Sequence, residues 1–114
     1  MEKSSVEVAK RLLSSGVGFG DLRVHQFKHD LEAHDDNAIA RLYAEFVSDF
    51  ERVQADLSEC YGEPVSLGIE NDKRIPLGGV FRFAIWQAEG QLLYAVVAHE
   101  DRGCPVLLLL GITK

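Results

Sequence analysis

Three of the four histidines, His25, His29 and His34, lie within ten residues of one another, among the carboxylates Asp30, Asp35 and Asp36. His25 and His29 are four apart and would share one face of a helix, where nearby carboxylates could complete a site for zinc or another divalent ion. The H-E-x-x-H arrangement is missing, and a solvated polar connector accounts for the same residues, so no metal is expected. His99, Glu100, Asp101 and Arg102 cluster at the end of a strand, where a carboxylate beside a histidine could tune it for general acid and base work. Neither a nucleophile nor a phosphate loop accompanies them. The sequence therefore assigns no catalytic residue, no metal and no cofactor.

Glycines 16, 18 and 20 in GVGFGD superficially match a nucleotide-binding loop. Such a loop needs a buried strand before it and a helix after it, whereas here a helix precedes and an extended segment follows. A glycine connection is the expectation, with Phe19 plugging into the core. Cys60 and Cys104 form neither a disulfide framework nor a metal signature and are expected as free thiols.

The elements that must position these groups follow from periodicity. From Asp36 to Tyr61, Ile39, Leu42, Tyr43, Phe46, Phe50, Val53 and Leu57 recur every three or four residues. Asp35 and Asp36 stand at the start, and Gly62 and Pro64 at the stop. This predicts one long amphipathic helix. A second stripe, Glu45, Asp49, Arg52, Asp56 and Glu59, is expected opposite the core, facing water or a partner. Upstream, Ser4 to Glu7 matches the S-x-x-E capping box, and Val6, Ala9, Leu12 and Leu13 give a short helix ending at Gly16. Leu22 to Phe27 reads as a brief extended piece that yields to a helical turn from about Phe27.

Beyond Pro64 the period changes to two. Val65, Leu67 and Ile69 alternate, and Val80 to Gln87, Leu92 to His99 and Pro105 to Ile112 follow with short turns between them. The prediction is a single α+β domain over residues 1 to 114, a long and a short helix packed on a four-stranded antiparallel meander. Both faces of the last three strands are apolar, so the second face needs a cover. The N-terminal helix with the Phe19 to Leu31 segment is one candidate, and a second copy of the chain, giving a homodimer, is the other. Trp86 and Tyr94 are expected as a facing cross-strand pair. Arg82, in an apolar row, needs a carboxylate or an exit to solvent.

Composition narrows the function classes. Twelve Lys and Arg against eighteen Asp and Glu give a net charge of -6, which disfavours nucleic acid and anionic membranes as partners. Hydrophobic residues at 46% and charged residues at 26% are globular proportions. The first fifteen residues carry no signal-like apolar core, and the run Val106 to Leu110 is too short to span a bilayer, so a cytoplasmic address is expected. Acid is concentrated in Asp30, Glu32, Asp35 and Asp36 and along the long helix, and a basic protein is the natural ligand of such a surface.

The acidic helix DDNAIARLYAEFVSDFERVQADLSECYGEP, followed by WQAEGQLLYAVVAHEDRGCPVLLLLG, resembles the small immunity proteins of bacterial polymorphic and contact-dependent toxin systems. That resemblance, over roughly residues 36 to 111, implies an inhibitor rather than an enzyme, one that binds a cognate and often basic toxin domain. The partner-binding residues would then be Asp30, Glu32, Asp35, Asp36, Glu45, Asp49, Asp56 and Glu59, imitating the negative charge of the toxin's substrate. The rivals are a small-ligand, metal-binding or enzymatic domain that uses the histidines and the His99 to Arg102 turn, and a self-associating structural subunit.

Overall fold

The computed structural model describes residues 4–16, 18–27, 35–101 and 103–113. Helix α1 spans Ser5–Ser15; the Ser4 hydroxyl accepts the Glu7 N–H at 3.4 Å, and the left-handed Gly16 returns its N–H to the Leu12 carbonyl at 2.8 Å. Helix α2 spans Asp36–Tyr61. The Asp35 carboxylate accepts the N–H groups of Asn37 and Ala38, both at 3.1 Å, and the Gly62 N–H closes the other end on Ser58. At 26 residues α2 is about 39 Å long by its rise per residue, close to the molecule's 44 Å long axis. Among the described residues no helix is long and apolar enough to cross a membrane.

Five strands, β1 (Phe19–His25), β2 (Ser66–Gly68), β3 (Val80–Ala88), β4 (Gln91–Ala98) and β5 (Val106–Thr113), form one antiparallel sheet in the order β1-β5-β4-β3-β2. The expected four-strand meander is β2 to β5, and β1 adds a fifth strand on the free edge of β5. A bulge between Asp21 and Arg23 breaks the alternation of β1 and turns both Leu22 and Arg23 toward the helices. Its other inward position is Gly20, which lies so close under α1 that a methyl group there would stand 2.7 Å from Val8. A strand whose inward row is one glycine and one leucine leaves little periodic signal. The helical turn expected from about Phe27 lies outside the described residues.

The two helices of the described residues pack on the same face of the sheet. Val8, Leu12 and Leu13 of α1 and Phe46, Phe50, Val53 and Leu57 of α2 share one core with Trp86, Leu93, Val97, Leu108 and Leu110. The Trp86 indole N–H bonds the Gly62 carbonyl at 3.0 Å and lies 3.3 Å from the Ser58 hydroxyl, which fixes the C-terminal end of α2. The N-terminal helix therefore does not wrap the opposite face, and neither does Phe19, which is 65% exposed rather than plugged into the core.

That opposite face is buried within a single copy. Ile75 and Leu77, from the connection between β2 and β3, lie over Val80, Phe83, Ile85, Tyr94, Val96 and Leu109. The connection is held by the Asn71 side chain, which accepts the Val80 N–H at 3.0 Å, and by the Asp72–Arg74 ion pair. Hydrogen bonds from Arg74 bring the Asp72 carboxyl down to about 2. Two aromatic rings complete the cover: Phe83 lies over Gly68 and Tyr94 over Gly111. Tyr94 and Trp86 are thus on opposite faces and do not pair, since Trp86 stands across from Leu93 and Tyr94 across from Ile85. Burial pushes the Tyr94 phenol up from its ordinary value.

A methyl group on Gly111 would stand 2.2 Å from the Tyr94 ring, so Gly111→Ala must displace that ring from a close-packed layer. The expected loss is about 1–3 kcal/mol of unfolding free energy by chemical denaturation. Gly103→Ala, with open space around it, should change stability by less than about 0.5 kcal/mol.

Candidate functional site

The acidic stripe of α2 lies on a flank of the helix rather than opposite its core. At about 100° per residue, Glu45, Asp49 and Asp56 fall beside the line of Phe46, Val53 and Leu57, with Asp49 nearest to it, and Glu59 falls farther round toward the back of the helix. Asp49 is only 6% exposed. Its Oδ2 accepts a 2.7 Å hydrogen bond from Arg23 Nη1 of β1, and its Oδ1 accepts one from Arg52 one turn along α2. Arg23 also reaches to 3.8 Å of Glu45, and its guanidinium stacks 4.4 Å from the centre of the Phe46 ring. The bulge in β1 delivers Arg23 to this position.

These contacts divide the predicted partner-binding residues. Asp49 is corrected: both of its oxygens are spent inside the molecule, and it faces neither water nor a partner. Asp35 is exposed and caps α2, and Asp36 is exposed in its first turn. Glu45, Asp56 and Glu59 are exposed, and Asp56 and Glu59 have no ion-pair partner among the described residues. Asp30 and Glu32 lie outside the described residues. Arg52 is committed to Asp49, which leaves Arg41 as the other exposed cation on this helix. The outward charge of α2 is accordingly negative.

The histidines sort differently. His25 stands in β1, within the stretch that reads as extended, and not on a helix; His29 and His34 lie outside the described residues. Among the described residues no three His, Cys, Asp or Glu side chains are grouped to hold a metal. Cys60 and Cys104 are free thiols.

His99 has a partner no local pattern could name. Its Nδ1 shares a 2.5 Å hydrogen bond with the hydroxyl of Tyr43, 56 positions earlier on α2. Tyr43 packs on Phe81 at 4.6 Å between ring centres, and Phe27 packs on His99 at 5.6 Å and on His25 at 5.1 Å. Asp36, Ile39, Tyr43, His99 and Asp101 line a depression of about 370 Å³. The Nε2 of His99 is buried and has no hydrogen-bond partner among the described residues. Of the turn expected to carry acid and base chemistry, Glu100 and Asp101 are exposed, and Arg102 lies outside the described residues. Arg82 is half-buried, and its Nε is enclosed without a hydrogen-bond partner among the described residues.

Removing the Asp49 charge leaves Arg23 and Arg52 facing each other across a neutral group. Because Arg23 is partly exposed and can recruit water, Asp49→Asn should cost about 1–3 kcal/mol by chemical denaturation. Asp56→Asn on the outward flank should change stability by less than about 0.5 kcal/mol.

No protein-family model, curated protein or solved structure matches this chain, so its function is argued from its own geometry.

Proposed function

We propose that the chain is an acidic protein-binding module of the immunity type, which neutralises a basic toxin domain in the cytoplasm by presenting the outward carboxylates of α2. The observation that carries this reading is the exposed flank of Glu45, Asp56 and Glu59, with Asp35 and Asp36 at its N-terminal end, on a helix whose nearby arginines Arg23 and Arg52 are held by Asp49. Carboxylates repeated along a rigid helix offer a basic surface the regular negative charge that a nucleic-acid backbone would otherwise supply. Charge of this kind speeds encounter and fixes register, and the resulting affinity falls with salt. The helix is anchored at both margins, by Trp86 on Gly62 and by Arg23 on Asp49, so presenting it costs little ordering on binding.

The test is charge reversal. The triple variant Glu45→Lys, Asp56→Lys, Glu59→Lys should keep the native circular dichroism. It should lose about tenfold or more in affinity for a basic partner recovered by co-purification at low salt, and its salt dependence should flatten. Unchanged affinity across that reversal would end the reading.

The Tyr43–His99 hydrogen bond favours a second reading, a small-ligand or enzymatic site in the depression between α2 and the end of β4. Here the Tyr43 phenol, hydrogen-bonded to the His99 Nδ1, would exchange protons with a bound molecule. The two readings separate with Tyr43→Phe and His99→Gln. Under the protein-binding reading both variants retain full affinity for the partner; under the second, both lose ligand binding or turnover while the charge-reversed helix retains it.

A further inference from the structure

We infer that the β2 edge of the sheet is a second docking surface, independent of the acidic flank, which takes an extended polypeptide segment with alternating apolar side chains and lysine or arginine at its ends. β2 ends the sheet, and among the described residues no strand pairs with its outer N–H and C=O groups. Leu67 within it and Val65 and Ile69 just beyond its two ends stand at alternate positions and are 60%, 56% and 70% exposed, three of the five large apolar side chains exposed among the described residues. Leu67 pairs with Ala84, whose side chain lies in the helix-side core, and so points to the helix side of the sheet. α2 packs over β3 and β4, and Leu67 and Ile69 beyond them stay mostly exposed.

Beside the row runs a groove of about 310 Å³ lined by Glu51, Gln54, Ala55, Ser58, Glu63 and Pro64. Glu51, Glu63 and Glu70 are exposed and have no ion-pair partner among the described residues, whereas Arg74 of the following connection is taken by Asp72. An apolar strand edge framed by unpaired carboxylates matches a strand with cationic ends: backbone groups supply the ladder, alternate side chains cover the apolar row, and the charges set the ends. The same charges argue against a second copy of this chain. Antiparallel self-pairing about a two-fold axis would bring Glu63 of each copy toward Glu70 of the other at both ends, between molecules that each carry a net charge of -6.

The experiment is selection of displayed random short peptides on the intact chain, in parallel with the variant Leu67→Asp, Ile69→Asp. Both positions are mostly exposed, and circular dichroism should find the variant's fold unchanged. The expected pool has apolar residues at alternate positions with basic ends and binds the native chain about tenfold or more tightly than the variant. N-methylation of every second amide in one phase should abolish binding, and in the other phase should be tolerated, because a strand uses alternate N–H groups. Amide signals of residues 65–69 should shift on binding while those of Glu45, Asp56 and Glu59 stay in place. The inference fails if nothing is enriched over the variant, if the enriched peptides lack the alternation or the basic ends, or if both methylation phases bind equally. It fails also if sedimentation finds the chain alone to be a dimer that the variant dissolves, which would make a second copy the occupant.

Discussion

A sheet that is apolar on both faces and, among the described residues, carries helices on only one must close its other face from its own strands and connections. Here the closure has two parts. Rings are laid over glycines, Tyr94 on Gly111 and Phe83 on Gly68, so that each ring covers the area a neighbouring side chain would have occupied. The long connection before β3 then folds Ile75 and Leu77 onto the ring layer, held by Asn71 and the Asp72–Arg74 pair. Much of the remaining structure follows from this economy. With the connection consumed in covering the second face, Leu67 of β2 stays exposed on the first.

The helix side is solved by conventional packing with one polar exception. An apolar stripe tolerates small rotations of a helix about its axis, because any neighbouring leucine or phenylalanine can take the place of another. The Asp49 carboxylate, held between Arg23 and Arg52 at the margin of the core, tolerates no such rotation, since turning α2 would strand a buried charge. The bulge in β1 belongs to the same device. Without the extra residue, Leu22 and Arg23 would point to opposite faces, and either the core would lose its leucine or Asp49 its arginine.

Where a pattern is local and regular, the sequence is legible. α2 could be read to its terminal residues because caps, period and stop signal agree, and the four-strand meander could be read from alternation and short turns. β1 was partly hidden because its inward row is a glycine and a bulged leucine, each of which erases one beat of the alternation. The misplacement of Asp49 has a simple cause: a stripe drawn by residue type groups it with Glu45 and Asp56, while the helical angle puts it a few tens of degrees nearer the core. An acid there is invisible until a cation arrives from another strand. The pairing of His99 with Tyr43 depends on where β4 ends beneath the first turns of α2, a tertiary fact with no local signature. Trp86 and Tyr94 do not face each other because the Glu89–Gly90 turn sets Ala88 across from Gln91, and that register puts each ring across from an aliphatic residue.

The surfaces that remain are arranged around α2 in a way that separates their physical roles. One flank, on the β1 side, carries charge without exposed apolar area, and the margin beyond the opposite flank carries exposed apolar area on a strand edge with charge only at its ends. Long-range charge acts before contact and governs how quickly partners meet, while buried apolar area and backbone pairing act after contact and govern how slowly they part. A single mixed patch would compromise both, because carboxylates placed among apolar groups must be desolvated as the contact closes. Keeping them on different sides of one rigid helix lets each act at full strength. The arginine cluster bears on the same balance: Asp49 and Glu45 set two carboxylates against Arg23 and Arg52, the two arginines nearest the flank, which leaves Asp56 and Glu59 without an ion-pair partner among the described residues.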